Sequence, residues 1–162
     1  MKSEITIRPI AAEDNAAIAA IIRKSLEEFN AAKPGTVYFD KTTDFLYELF
    51  TQDFSAYFIA EEGNKILGGA GIYPTEGLPK NTCELVKMYL SKEARGKGLG
   101  RTLLQKCVSE AKKIGYKQIY LESMPELKTA ISMYNNSGFK NVGHPLGNSG
   151  HNGCSVWMIK DL

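Results

Sequence analysis

Three glycines alternate with basic and apolar residues in the segment Arg95-Gly96-Lys97-Gly98-Leu99-Gly100, here called the glycine turn. Glycine lets backbone N–H groups point into one concavity and lets a ligand approach without a Cβ in its way. A helical pattern follows the turn, and a helix N-terminus offers unpaired N–H groups and the positive end of its dipole. Arg95, Lys97 and Arg101 add positive charge, and Thr102 adds a hydroxyl. The segment therefore predicts a phosphate or pyrophosphate site.

The spacing of the glycines argues against two nucleotide-binding motifs. A Walker A loop needs a glycine five residues before its second glycine and a lysine after it, but Arg95 and Arg101 hold those places. The dinucleotide fingerprint G-x-G-x-x-G also needs a glycine where Arg101 stands. A mobile, solvated basic turn in front of an ordinary helix is the remaining structural alternative.

The elements that position this turn are predicted from hydrophobic periodicity and turn residues. Their order is β-α-α-β-β-β-α-β-α-β-β, which is typical of a mixed α+β domain. One helix is expected to follow Asp14 as its N-cap, and a second to cover residues 43–50. A third is expected to run from the glycine turn to Gly115, and a fourth to have Pro125 in its first turn and to end at Gly138. Strands are expected at residues 5–8, 55–62, 65–73, 83–90, 116–122, 139–142 and 154–159.

Two segments resemble the GNAT superfamily of N-acetyltransferases. Residues 84–104, ELVKMYLSKEARGKGLGRTLL, are similar to its signature strand, turn and helix, in which Arg-x-x-Gly-x-Gly is the coenzyme A motif. Residues 130–139, AISMYNNSGF, are similar to its second pattern, A-x-x-x-Y-x-x-x-G-F. The order of elements along the whole chain also agrees with this family.

The resemblance implies a GNAT-like acyl-coenzyme A N-acyltransferase fold: α+β, with a central mixed, mostly antiparallel twisted sheet flanked by helices. The sheet is expected to splay open beside the signature strand and to hold the pantetheine arm of acetyl-coenzyme A in the gap. Many relatives carry an Asn where Leu127 stands, so one side-chain contact to the coenzyme is absent. The residues that the resemblance assigns to the coenzyme are Met88, Tyr89, Leu90, Arg95, Gly96, Lys97, Gly98, Leu99, Gly100, Arg101, Thr102 and Tyr134.

Glu84 is the candidate general base for acetyl transfer. An alkyl amine has a pKa of about 10.4, so its neutral form at pH 7 costs roughly 4.6 kcal/mol. Glu84 stands among apolar strand residues, and burial there would raise its pKa toward a useful value, whether it acts directly or through water. A strand-edge glutamate paired with a lysine such as Lys87 is the structural alternative.

Tyr134 is the candidate acid, because the resemblance places its hydroxyl near the coenzyme sulfur. A phenol pKa near 10 against about 8.5 for a thiol makes the proton transfer uphill by roughly 2 kcal/mol. The backbone N–H of Met88 is the candidate donor to the developing oxyanion. In the structural alternative, Tyr134 only completes an apolar helix stripe that contains Leu127, Ala130 and Ile131.

Other polar residues lead to further hypotheses about the site. His144, His151 and Cys154 match no tetrahedral zinc spacing, so we predict no metal. His151 either lines the acceptor site or is held by backbone groups in its loop, and Cys154 is expected to be a small buried strand residue. Four acidic side chains either attract a cationic amine or are surface charge: Glu27, Glu28, Asp40 and Asp44.

Composition limits the classes of protein. The 162 residues suit a single domain spanning 1–162, and 43% hydrophobic with 23% charged residues is ordinary for a globular protein. A net charge of +2 implies no general attraction to nucleic acid or to an anionic membrane. The polar start, Met1-Lys2-Ser3-Glu4, is unlike a signal peptide, and three widely spaced cysteines argue against a disulfide framework. We therefore expect a cytoplasmic protein.

These observations together predict an acyltransferase that moves the acetyl group of acetyl-coenzyme A directly to a primary amine of a small molecule or peptide in a ternary complex. A non-catalytic coenzyme A-binding regulatory module on the same fold is one alternative. A general phosphate- or nucleic-acid-binding domain is the other. The acceptor and the oligomeric state are left open, although a homodimer is common among relatives.

Overall fold

The computed structural model describes residues 3–162, and these residues form one sheet and four α-helices. The strands are β1 (Ile5–Pro9), β2 (Ala56–Glu62), β3 (Lys65–Tyr73), β4 (Thr82–Leu90), β5 (Gln118–Ser123), β6 (Lys140–Val142) and β7 (Val156–Asp161). The helices are α1 (Asn15–Glu28), α2 (Leu46–Leu49), α3 (Leu99–Ile114) and α4 (Lys128–Asn136). The predicted order of elements is confirmed. None of the helices in residues 3–162 has the length and apolar composition that crossing a bilayer requires.

The sheet is mixed and mostly antiparallel, with the strand order β1-β2-β3-β4-β5-β7-β6. Among the described strands, β4 and β5 form the one parallel pair, which runs from Thr82 opposite Gln118 to Glu84 opposite Tyr120. Both strands continue beyond that point without pairing to each other. The predicted fold class is thereby confirmed, and the sheet opens immediately after Glu84.

A β-bulge interrupts β4 inside this opening. Gly69 lies opposite Tyr89 and Gly71 opposite Val86, so β4 carries one residue more than β3 over this stretch. Lys87 has a φ of +51°, a left-handed conformation that is rare for a residue with a side chain. Such bulges re-aim side chains and are frequent beside active sites.

Two apolar clusters hold the helices on the sheet. Alternation along β2 sends Phe58 and Ala60 to the cluster under α3, and Tyr57 and Ile59 to the cluster under α1. Helices α1 and α3 therefore cover opposite faces of the central strands. The open end of the sheet lies between them.

Some predicted boundaries were wrong, and local hydrogen bonds explain why. Asp14 does not cap α1 with its side chain, because its carboxylate accepts hydrogen bonds from Arg8 and from the N–H of Ala11. Pro125 lies in a turn before α4 rather than in its first turn, since the N–H of Leu127 bonds to the carbonyl of Met124. Helix α2 is shorter than predicted and follows a 3-10 turn at Lys41–Asp44, while β5 and β7 each begin two residues late.

Candidate active site

A cavity of about 580 Å³ occupies the gap between the diverging strands β4 and β5. Every residue of β4 from Glu84 to Leu90 lines it, and the glycine turn contributes Arg95, Gly96, Gly98 and Gly100. An extended strand rises about 3.3 Å per residue, so Glu84 and Leu90 are separated by roughly 20 Å. The cavity is therefore a long channel that leads from the glycine turn to Glu84.

The glycine turn has the backbone shape that an anion site requires. Gly96 and Gly98 have φ values of +77° and +78°, and Gly98 is the N-cap of α3. A Cβ at either position would meet no heavy atom of the described residues within 4 Å. The space in front of the turn is thus open to a ligand, as the sequence predicted.

Arg95 has a different role from the one its charge suggested. Its guanidinium donates to Glu28 at 2.7 Å, to the carbonyl of Leu90 at 3.0 Å and to the hydroxyl of Ser25 at 3.2 Å. It also lies 4.9 Å from the centroid of the Phe29 ring. Glu28 and Ser25 belong to α1, so Arg95 links the glycine turn to that helix. Its charge is paired with Glu28, and its donors already have acceptors within the protein.

The charge that remains at the turn comes from Lys97 and Arg101, both of which are exposed. The hydroxyl of Thr102 donates to the carbonyl of Gly98 at 3.1 Å, so its proton is already engaged. Leu99 is buried and anchors the first turn of α3. The predicted anion site therefore depends on backbone N–H groups and these two cations.

Successive residues of β4 direct their main-chain groups alternately toward β3 and toward the gap, so only some of the predicted main-chain contacts to the coenzyme are open to a ligand. The N–H of Ser91 bonds to β3, so Tyr89 also faces β3 with its main chain, whereas Met88 and Leu90 face the gap. The carbonyl of Leu90 already accepts hydrogen bonds from side chains. Met88 is therefore best placed to offer main-chain groups to a ligand, and Tyr89 can contact one through its side chain.

Glu84 is buried at the end of the channel, with 3% of its surface exposed. Its carboxylate accepts a hydrogen bond from the hydroxyl of Thr75 at 2.6 Å. Burial raises its pKa from the usual 4.5 to about 7, and the neighbouring Glu122 adds to the increase. The structural alternative of a pair with Lys87 is wrong, because the ammonium of Lys87 bonds to Asp40 instead.

His151 and Glu122 join Glu84 in the cavity wall. His151 Nε2 lies 2.7 Å from Asp40 Oδ2, and His151 Nδ1 lies 3.9 Å from Glu122 Oε1. Burial by itself would lower the pKa of His151, but the hydrogen bond and charge of Asp40 raise it. Glu122 in turn accepts hydrogen bonds from Tyr120 and Ser149. His151 lines the cavity and is held there by a carboxylate rather than by backbone carbonyls.

One ligand atom from each of Glu84, Glu122 and His151 lies within 4.8 Å of the others, a spacing that could hold a cation. Each of the three is already engaged by protein partners, so we assign hydrogen-bond chemistry to the group. Sequence reasoning did not select Glu122 or Lys87. Both residues could have been selected as charged residues inside otherwise apolar strands, because a buried charge needs a partner or has a function.

Tyr134 is buried in the apolar cluster under α3 with Ala130, whereas Leu127 packs against the other cluster. The ring of Tyr134 packs on Phe139 at a centroid distance of 5.7 Å, and its hydroxyl lies 3.9 Å from Met88 Sδ at the cavity wall. Burial raises its pKa well above the usual 10. The expectation of a buried strand residue at Cys154 is wrong, because Cys154 is half-buried in the loop before β7. It lines the cavity, and burial raises its pKa to about 12.

The remaining candidates divide between the surface and the site. His144 is exposed beside the carbonyl of Pro145. Three of the acidic side chains have other partners, since Glu27 accepts from Tyr38, Glu28 from Arg95 and Asp44 from Arg23. Asp40 is the member of that group that bonds to both Lys87 and His151.

Solved structures share this fold. An acetyltransferase of the GNAT family from Staphylococcus aureus superposes with a TM-score of 0.84 at 20% identity, covering 98% of this chain and 99% of that one. The PaiA N-acetyltransferase from Thermoplasma acidophilum, solved in complex with coenzyme A, gives a TM-score of 0.76 at 21% identity, with 98% and 99% covered.

Sequence relatives identify the family. The E. coli protein named uncharacterized N-acetyltransferase YjgM is 37% identical over 157 residues, which are 96% of this chain and 94% of that protein. An IAA acetyltransferase from Azospirillum brasilense is 32% identical over 107 residues, covering 65% of this chain and 67% of its own. A model of the acetyltransferase (GNAT) family matches residues 18–139. The chain therefore belongs to the acetyltransferase (GNAT) family and is an acyltransferase.

Proposed function

We propose that this protein transfers the acetyl group of acetyl-coenzyme A to a primary amine of a small molecule or peptide, within a ternary complex. The observation that carries the proposal is the channel that joins the glycine turn to Glu84. It connects an anion site to a buried carboxyl group whose pKa of about 7 suits a general base.

The residues present fit acetyl-coenzyme A. The open concavity in front of Gly96 and Gly98 suits a pyrophosphate, and the exposed Lys97 and Arg101 would offset its charge. The unpaired edge of β4 at Met88 would hydrogen-bond the pantetheine amides. When bound, acetyl-coenzyme A supplies an acetyl thioester that an amine can attack.

Glu84 would take the proton of the attacking amine. With a carboxyl pKa of about 7, removing a proton from an amine of pKa about 10.4 costs roughly 5 kcal/mol. At the usual pKa of 4.5 the same transfer would cost roughly 8 kcal/mol. Burial of Glu84 therefore makes it a stronger base by about 3 kcal/mol.

Tyr134 would serve the departing sulfur as a hydrogen-bond donor. Its raised pKa keeps the hydroxyl protonated across the physiological range, so the donor is always present. The same shift makes complete proton transfer to a thiolate more costly than the roughly 2 kcal/mol expected from unperturbed groups. We therefore assign to Tyr134 charge stabilisation at the sulfur, and to the N–H of Met88 the corresponding role at the oxyanion.

Direct transfer is supported by the state of Cys154. This thiol lines the cavity, but a pKa of about 12 leaves it protonated and weakly nucleophilic near neutral pH. Among the described residues that line the cavity it is the one cysteine. A covalent acetyl-enzyme formed on this thiol is thus disfavoured relative to attack by the amine.

The test is thiol release from acetyl-coenzyme A in the presence of a panel of primary amines, with products identified by mass spectrometry. We expect release above the buffer rate for at least one amine, and a loss of roughly 100-fold or more in Glu84→Gln. Coenzyme binding without thiol release for every amine tested would favour a non-catalytic binding module and would overturn the proposal.

The remaining expectations concern context. We propose that residues 1–162 act as a single cytoplasmic domain. We also propose that it has no nucleic-acid or membrane partners, because a net charge of only +2 gives no general attraction to either. Cell fractionation tests the location, and light scattering after gel filtration tests for the homodimer.

A further inference from the structure

The ammonium group of Lys87 is a buried cation with unused donors. Its side chain is 5% exposed and lines the cavity. Within residues 3–162 its single hydrogen-bond partner is Asp40 Oδ2, at 3.1 Å. An ammonium carries three N–H donors, so two remain without a protein acceptor in a nearly buried position. A ligand oxygen in the cavity would satisfy them.

The bulge in β4 gives Lys87 this position. In a regular strand, residues three apart face opposite sides, so Glu84 and Lys87 would not share a cavity. The left-handed φ of +51° at Lys87 breaks the alternation: Leu85 and Met88, three residues apart, both pack against the cluster under α3, so Glu84 and Lys87 share the opposite face. The buried hydroxyl of Tyr57 donates to the Lys87 carbonyl at 2.7 Å and holds this conformation.

The charged side chains of the channel form one connected cluster beside Glu84. Glu84 and Glu122 lie together, with His151 between them and Asp40. Asp40 is shared by Lys87 and His151, so a single carboxylate serves two basic side chains. The cavity therefore offers carboxylates to a ligand ammonium and, on the other side of Asp40 and His151, an incompletely paired ammonium to a ligand anion.

We propose that the acceptor is a free amino acid, whose amino group lies against Glu84 and whose carboxylate accepts hydrogen bonds from Lys87. This inference rests on the proposed function. The new bond joins the amine nitrogen to the acetyl carbon, and the carbon–sulfur bond of the thioester breaks. Glu84 takes one proton from the substrate ammonium, and the neutral amine attacks. The nitrogen loses its second proton to solvent as the amide forms, and the departing sulfur takes one proton from solvent, so the coenzyme leaves as the thiol.

The first test compares each amino acid with the amine that lacks its carboxylate. Suitable pairs are L-phenylalanine with 2-phenylethylamine, L-leucine with 3-methylbutylamine, and L-methionine with 3-(methylthio)propylamine. We expect the amino acid of at least one pair to have the higher kcat/KM by roughly 10-fold to 150-fold, the range of a hydrogen bond to a charged group. Equal or faster reaction of the amine in every pair would overturn the inference and leave the proposed function intact.

The second test asks whether Lys87 carries that preference. Lys87→Met should reduce the ratio of the two kcat/KM values at least tenfold, and Lys87→Arg, which keeps the cation, should retain part of it. Lys113→Met is the matched control, because Lys113 is exposed on α3 outside the cavity, and its ratio should stay at the wild-type value. An unchanged ratio in a folded Lys87→Met protein would overturn the inference.

Calorimetry separates this inference from catalysis. The same pairs are titrated into the wild-type protein saturated with coenzyme A. Tighter binding of the amino acid, weakened in Lys87→Met, would support the carboxylate site even if thiol release failed. Equal binding of both members of every pair would refute the site independently of turnover.

Discussion

Replacing Glu84 by glutamine should weaken catalysis and strengthen the fold at the same time. The carboxyl is 3% exposed, and its pKa of about 7 lies about 2.5 units above the usual 4.5. Each unit corresponds to about 1.36 kcal/mol, so ionising Glu84 in the folded protein costs roughly 3 kcal/mol more than in the unfolded chain. Glutamine keeps the shape of the side chain and carries no charge at any pH.

The sign of the stability effect follows from the raised pKa. A group whose pKa is higher in the folded state contributes stability below its unfolded pKa, and that contribution is lost as the pH rises through the folded pKa. The wild type should therefore lose up to about 3 kcal/mol between pH 4.5 and pH 7 because of Glu84, and Glu84→Gln should not. In a protein of this size, this corresponds to a Tm that is higher in the variant by roughly 6 to 12 °C at pH 8.

Activity supplies the second half of the test. The ratio of wild-type to Glu84→Gln kcat/KM removes the titration of the acceptor amine, which is common to both. Below pH 7 the ratio should fall about tenfold per pH unit, and above pH 8 it should be flat. Scanning calorimetry and thiol-release kinetics measure the two effects. A flat ratio from pH 5.5 to 8 would refute Glu84 as the base, and an unchanged or lower Tm at pH 8 would refute the burial argument.

Three further substitutions test the rest of the site. Thr75→Val removes a hydrogen bond that lowers the pKa of Glu84, so the acidic limb of the rate profile should move to higher pH; a limb at its original pH would show that this bond does not act on the base. Tyr134→Phe should reduce kcat at least tenfold while the calorimetric Kd for coenzyme A changes less than threefold; equal losses would assign the hydroxyl to binding instead. Gly98→Ala forces a Cβ onto a φ of +78° in front of the open concavity, so it should cost about 1 kcal/mol of stability and weaken coenzyme binding, whereas Gly115→Ala, also at positive φ but at the far end of α3, should affect stability alone.

Features that depend on neighbouring residues were predictable from the sequence. The glycines of the turn need no distant partner to take left-handed backbone angles, and Gly98 and Gly115 delimit α3 as the sequence indicated. The apolar strand around Glu84 allowed burial as one of two alternatives, and the structure decided in its favour. The order of elements and the fold class were confirmed for the same reason, since local periodicity carries that information.

The tertiary structure decided which charged groups meet. His151 and Asp40 are 111 residues apart in the chain, and their contact depends on how the loop before β7 and the segment after α1 come together. The position of Lys87 depends on the register of β4 against β3, because the bulge changes the face on which its side chain emerges. Arg95 was assigned to the anion site by its charge, but its guanidinium reaches Glu28 of α1. Pairing across elements follows from packing and register rather than from residue type, so the donor end of the channel could be predicted from the sequence and the polar end around Lys87 could not.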